Sequence, residues 1–234
     1  MELTEKTISV LKNYASINSN IVISEGNELK TVTEAKNVCA LAKVDVEFPR
    51  EIGIYDLNEF LATLNLLDTP TIRFEESYAS ISDGSGRAKI KYFYSDPENL
   101  TSPPTKFDAT GNKLKPVNMP QTDVQFTLDE ATLSKIKRAA SVLGHSEVSV
   151  SVDNNVVVLT VIDNSNRTSN AFSIVVDGEF ETSDFNFVFN ISNLKMIDGD
   201  YVVSISRKLI SHFVNKESGF EYWVALEKSS TYGA

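Results

Sequence analysis

Phe187-Val188-Phe189-Asn190-Ile191-Ser192 carries an apolar strand into a helix, and Ile52-Gly53-Ile54-Tyr55-Asp56-Leu57 does the same far earlier in the chain. Working outward, each is preceded by a helical segment that runs into a strand. Ile8, Leu11 and Ala15 share one face before the apolar Ile21 to Ile23, and Leu133, Ile136, Ala140 and Leu143 share one before Val148 to Val152. Each is followed by strands, Thr71 to Phe74 leading into hairpins and Tyr201 to Ile205. Ile8 falls on Leu133 at an offset of 125 residues and Leu57 on Ile191 at 134, so a small insertion in the hairpins of the second half absorbs the difference. A duplicated fold implies pseudo-symmetry, and pseudo-symmetry implies a ring or an array.

The 234 residues, 41% of them hydrophobic, suffice for two domains with cores of ordinary size. No run approaches the roughly 18 apolar residues of a membrane span, and Met1-Glu2-Leu3-Thr4-Glu5-Lys6 lacks the basic start and apolar centre of a signal peptide. A cytoplasmic protein without a membrane role is expected. The single cysteine, Cys39, has no partner for a disulfide or a metal site and reads as a small core residue. The net charge is −10, and both halves are acidic. Such a balance opposes bulk coating of nucleic acid, which needs a local excess of Lys and Arg, but leaves room for a basic patch.

Five of the seven prolines fall between Ser95 and Gln121, which marks a stiff connector. The expected organisation is residues 1–108, a connector over 109–121, and residues 122–234. Leu100, Phe107, Leu114, Val117 and Met119 are spaced so that some dock on a domain surface. Elsewhere alternation dominates: Val148 to Val152 and Val156 to Val161 flank Asp153-Asn154-Asn155, a hairpin with turn residues that tolerate positive φ. The class is α+β, antiparallel sheets with about four helices, two per repeat, on one face. At about 100° per residue, Ile8, Leu11 and Ala15 leave Lys6 and Asn13 nearly opposite and Lys12 on the flank. In the second repeat Arg138 lies opposite the apolar face with Lys135 and Lys137 to either side. Asp129 and Glu130 suit the start of that helix, with Thr127 or Asp129 as its cap.

Catalytic apparatus is missing. His145 sits at a helix end and His212 in a strand-like stretch, neither within a triad or metal motif. Gly84-Ser85-Gly86 precedes an alternating run and opens no helix, so it is no phosphate loop. Glu75 and Glu76, adjacent in a strand, point to opposite faces. No cofactor is called for, and a binding or scaffold protein is expected rather than an enzyme.

Leu11-Lys12-Asn13-Tyr14-Ala15-Ser16-Ile17-Asn18-Ser19, Ile54-Tyr55-Asp56-Leu57-Asn58, Phe185-Asn186-Phe187, Asn193-Leu194-Lys195-Met196, Gly199-Asp200-Tyr201 and the ending Val224-Ala225-Leu226-Glu227 with Ser230-Thr231, in this order and spacing, resemble the DNA polymerase sliding clamps of T4-type bacteriophages. The resemblance implies a homotrimeric ring of two-domain subunits with helices around duplex DNA and sheets outside. It implies a processivity factor that tethers the replicative polymerase, is loaded by an ATP-driven clamp loader, and supports late transcription, all in the host cytoplasm. A topological link needs no tight phosphate binding, so an acidic ring with a modestly basic bore suits sliding.

By position, the resemblance assigns the bore to Lys6, Lys12, Lys135, Lys137 and Arg138, with Lys195 on the fourth helix. The helix from Leu57 to Leu67 carries no basic residue and would contribute Asn58 or Asn65. Tyr92 and Phe93 match the family's subunit-interface aromatics, with a partner edge within 170–176. Phe107, Val117, Tyr201, Ile205, Trp223 and Val224 are candidates for the hydrophobic pocket that receives partner tails. Where the family has a tryptophan, this chain has Ser206. Duplication and acidity alone also permit a two-domain β-rich structural or adhesion protein of a virion with no DNA role. A carboxylate hydrolase would need paired acids at fixed separation, which the sequence does not display.

Overall fold

A computed structural model describes residues 1–104, 106, 107, 110, 113–166 and 168–233, with the backbone alone at 106, 107, 113 and 114. The chain divides into two units, Met1–Pro116 and Val117–Ala234, and the division falls inside the proline-rich connector.

The first unit opens with helix α1 (Glu5–Ile17), capped by Thr4, whose hydroxyl accepts from the Thr7 N–H at 3.2 Å. Strand β1 (Ile21–Ile23), the hairpin of β2 (Gly26–Val32) and β3 (Val38–Phe48), and β4 (Ile52–Ile54) follow, with β4 returning antiparallel to β1. Helix α2 (Leu57–Asn65) starts where β4 ends, with the Asp56 carboxylate accepting from the Glu59 N–H at 3.0 Å. The antiparallel sheet of β5 (Thr71–Phe74), β6 (Tyr78–Ser82) and β7 (Lys89–Phe93) comes next. A 3₁₀ turn at Pro97–Asn99 and two short strands, β8 (Lys106–Phe107) and β9 (Lys113–Leu114), complete the unit. Gly53 is required in β4 because a Cβ there would run into the Ser95 carbonyl, while the Ser95 N–H donates to the Gly53 carbonyl at 2.9 Å.

The side of α1 that enters the core differs from the one expected from sequence. Thr7, Val10, Leu11, Tyr14 and Ile17 are buried, whereas Ile8 and Ala15 are only half-covered. Tyr14 sets the rotation: its ring is fully enclosed and its hydroxyl donates to the Leu29 carbonyl at 3.3 Å. Fully burying side chains such as Val10 or Leu11 contributes about 1.5–3 kcal/mol each, enough to outweigh the two half-covered positions.

The second unit runs β10 (Val124–Leu128), helix α3 (Glu130–Leu143), β11 (Glu147–Asp153), β12 (Val156–Ile162), β13 (Phe172–Val176), β14 (Gly178–Phe180), β15 (Phe185–Asn190), a 3₁₀ turn at Ile191–Asn193, β16 (Tyr201–Ser206), β17 (Ile210–Asn215), β18 (Glu221–Ala225) and β19 (Thr231–Tyr232). One sheet has the order β13-β12-β11-β15-β19; in the other, β14, β10, β16, β17 and β18 lie side by side. Every pairing is antiparallel. The expected hairpin is present, with Asn154 at φ 49° and Asn155 at φ 64° joining β11 to β12. Helix α3 buries Leu133, Ile136 and Ala140 and is capped by Asp129, not Thr127, with Gly144 left-handed at its end.

The α+β class with two similar units stands, but the second unit does not have two helices. Among the described residues, the place of the fourth helix is taken by the 3₁₀ turn Ile191–Asn193, after which Leu194 and Met196 are buried at a spacing of two. Ser192 and Asn193 are weak helix formers, and the Ser192 hydroxyl and N–H both go to the Asn190 side chain.

Candidate nucleic-acid and subunit interfaces

On α1 Lys12 stands opposite the buried face, beside Glu5, and Lys6 lies on the flank, the reverse of the sequence-based placement. Both are exposed. On α3, Arg138 is opposite the buried face and Lys135 beside it is exposed, as expected. Lys137 is half-buried, and burial pushes its ammonium below the ordinary lysine value against the pull of Asp198. It is therefore the cation on α3 least suited to a passing phosphate. Lys195 lies past the 3₁₀ turn, half-buried and on no helix. Asn58 and Asn65 of α2 are exposed, and no cation joins them there.

The two proposed interface aromatics point to opposite sides of β7. Tyr92 faces inward: its hydroxyl donates to the Asp56 carbonyl at 3.1 Å, and its ring meets Phe60 edge-on at 5.2 Å. Burial, with the nearby Glu59 and Asp56 charges, pushes its phenol up to about 12. Tyr92 thus ties β7 to the start of α2, while Phe93 is 67% exposed. In the second unit β13 is likewise the outer strand of its sheet, and its Val175 is 59% exposed.

The pocket candidates divide sharply. Tyr201, Ile205 and Val224 are fully enclosed and Trp223 is 1% exposed, so these four side chains form core rather than the lining of an open groove. The register divides them between the two faces of the sheet, with Tyr201, Ile205 and Val224 on one and Trp223, beside His212, on the other. Trp223 stacks flat on His212 at 4.7 Å, the His212 ring Nε2 lies 2.7 Å from Glu221 Oε2, and the indole N–H has no hydrogen-bond partner among the described residues. Val117 is half-exposed, and the Phe107 side chain lies outside the described residues.

Sequence reading missed a charged cluster in the second unit. Asp123 accepts from the backbone N–H of Arg207 at 2.6 Å and from its Nε at 2.7 Å, and Arg207 lies over the Tyr232 ring of β19 at 4.1 Å. Burial penalises the Asp123 carboxylate, yet the guanidinium and backbone N–H of Arg207 hold its acid below the usual carboxylate range. The partners are 84 residues apart, and no local pattern announces them. Among the described residues no group of His, Cys, Asp and Glu could hold a metal ion, and no helix is long and apolar enough to cross a membrane.

Comparison with known proteins bears on this geometry. Residues 4–93 match the family described as DNA polymerase processivity factor, and residues 125–228 match that described as gp45 sliding clamp, C terminal. A sliding clamp of Vibrio phage KVP40 is 32% identical over 97% of this chain and 99% of its own length. The sliding clamp of Escherichia phage RB69 is 25% identical over 99% of each chain. Among solved structures, A. fulgidus PCNA bound to the C-terminal region of FEN-1 has the same fold, with a TM-score of 0.69 at 14% identity over 98% of both chains. With similarity running from the first helix to the last strands, the chain belongs to the sliding clamp family of DNA polymerase processivity factors, whose members are scaffolds and not enzymes.

Proposed function

We propose that this chain is the sliding clamp of a T4-type phage: three copies close into a ring around duplex DNA and tether the replicative polymerase. The observation that carries this reading is the matched pair Lys12 and Arg138. Each stands opposite the buried face of the first helix of its unit, on a chain whose net charge is −10. Few cations facing a duplex hold it weakly and without sequence preference, while the acidic remainder repels it. Ring closure would use the free edges β7 and β13, since an exposed edge strand invites another strand. Opening by a clamp loader, support of late transcription and residence in the host cytoplasm belong to the same proposal.

The test is topological. Clamp loaded by a T4-type loader onto nicked circular DNA should stay bound through gel filtration and leave after the circle is linearised. Retention that ignores linearisation, or no retention at all, would overturn the reading and favour a virion protein without a DNA role. Light scattering at several concentrations should give three times the mass of 25.9 kDa. Adding the clamp to a late-promoter transcription assay tests the further role, with unchanged transcript yield counting against it.

A further inference from the structure

We infer that the polar face of the β5-β6-β7 sheet binds single-stranded nucleic acid, with successive phosphates on two cross-strand rows of cations and hydroxyls and a base stacked on Phe93. This site is separate from the cations of α1 and α3. The register builds it: Thr71, Ser82 and Lys89 form one row, Arg73, Ser80 and Lys91 the next, and Tyr78 with Phe93 the third. Strand residues two apart share a face, so these rows lie together, while Ile72, Ala79 and Ile81 on the opposite face are buried. The face therefore carries three cations, three hydroxyls and two aromatic rings, and the strands place no acid on it. Arg73, Lys89 and Lys91 are exposed, and the Arg73 and Lys89 side chains make no hydrogen bond or ion pair among the described residues. The nearby Asp83 is engaged within its own turn, accepting from the Ser85 hydroxyl at 2.8 Å.

Thr71, Arg73, Ser80, Ser82 and Lys89 line a concave site of about 340 Å³. Ser80 is only 7% exposed, and its hydroxyl has no hydrogen-bond partner among the described residues. An enclosed hydroxyl without a partner is costly, and an oxyanion seated between Arg73 and Lys89 supplies the missing acceptor with charge-assisted bonds on either side. The two rows are about 6.7 Å apart along the strands, close to the separation of successive phosphates in an extended single strand. Beyond them Phe93 is 67% exposed, 5.6 Å from the Tyr78 ring, over which the Lys91 ammonium lies at 5.0 Å. Cations that track a backbone beside a ring open to a base are the elements of single-strand recognition. An acidic peptide would use the cations and leave Phe93 in water, and a duplex keeps its bases stacked on one another.

The test is fluorescence anisotropy of a labelled linear oligothymidylate of about 12 nucleotides, titrated with the full chain at low salt and without a loader. A short linear strand cannot be held topologically, so the outcome does not turn on the ring reading. The parent should bind, and Arg73→Ala and Lys91→Ala should each weaken binding and remove about 0.7 from the slope of log affinity against log salt. Phe93→Ala should weaken binding about tenfold with the slope unchanged. Phe93→Trp should keep the affinity and lose indole fluorescence as the strand binds, and unchanged emission would overturn the stacking even where Phe93→Ala disturbs the fold. Lys12→Glu and Arg138→Glu should bind the strand as the parent does. No binding by the parent, or a loss confined to these two helix variants, overturns the site. A glutamate-rich peptide or a duplex of the same length bound as tightly as the strand overturns its specificity for single-stranded nucleic acid.

Discussion

The two units begin alike and then part. The first helix of each is capped by a side-chain oxygen, Thr4 for α1 and Asp129 for α3, and each of these helices sets one cation opposite its buried face. Their surroundings differ. Lys12 shares its outward stripe with Glu5, Ser9 and Ser16, while Arg138 shares one with Ala131, Lys135 and exposed Val142. The second strand-to-helix turn separates them further: α2 is nine residues long, and its counterpart is a 3₁₀ turn of three. One backbone plan therefore tolerates loss of a helix where Leu194 and Met196 can bury themselves without one. It also places unequal charge on the two first helices.

The sharpest way to break this comparison is to remove what only the first unit has. Phe60 of α2 is 2% exposed and meets the Tyr92 ring edge-on. Phe60→Ala should destabilise the first unit by about 3–5 kcal/mol and leave the second unit's transition unchanged, as read by urea unfolding. Equal loss in both transitions would mean that the units do not unfold separately. The second unit has its own exclusive feature in the Asp123–Arg207 contact. Asp123→Asn should cost about 1.5–3 kcal/mol at neutral pH through lost charge-assisted hydrogen bonds. Because the folded acid is held below its ordinary value of 3.8, its contribution is present above that value and disappears as pH falls through the folded pKa. The variant should therefore show a flatter acid limb below about pH 4 than the parent, and an unchanged limb would remove Asp123 from the acid response.

Caps test the divergence of the strand-to-helix turns on a smaller scale. Asp56→Ala should cost about 1 kcal/mol because it uncaps a real helix. Asn190→Ala, which holds only the Ser192 N–H and hydroxyl at the head of a three-residue turn, should cost less than about 0.5 kcal/mol. Equal costs, measured by thermal unfolding, would indicate that the turn behaves as a helix after all.

Much of this was legible because it is local or periodic. The order of elements, the Asn154-Asn155 hairpin and the outward position of Arg138 all follow from spacing within a few residues. The fourth helix was misread because Phe187 to Ser192 mirrors the strand-to-helix turn from Ile52 to Leu57, while the decision lay with Ser192 bonding back to Asn190 and Gly199 arriving at φ 141°. The face of α1 was misread for a different reason. Ile8 and Ala15 are apolar enough to belong inside, but Tyr14 needs the Leu29 carbonyl 15 residues away, and no helical wheel contains that partner. Trp223 looked like a binding anchor because aromatics near grooves often are. Its 1% exposure, with the indole stacked flat on His212 from the neighbouring strand, shows it enclosed instead.

The smallest effects concern the proposed bore, where the unequal stripes make an asymmetric prediction. Reversing a cation that meets phosphate removes about one unit from the salt dependence of DNA retention and weakens retention without sequence preference. Arg138→Glu puts an acid between Lys135 and the apolar Val142, so it neutralises a neighbouring cation as well as losing its own. Lys12→Glu adds an acid to a stripe that already holds Glu5 and only hydroxyls otherwise. Retention on circular DNA measured from low to moderate salt should therefore fall more for Arg138→Glu, with trimer mass unchanged in both variants. If Lys12→Glu is the more damaging, the duplex runs closer to α1 than to α3, and the poorer stripe carries the greater share of the contact. If neither changes retention, these two helices do not face DNA, and the charge difference between the units is a property of solvated surfaces alone.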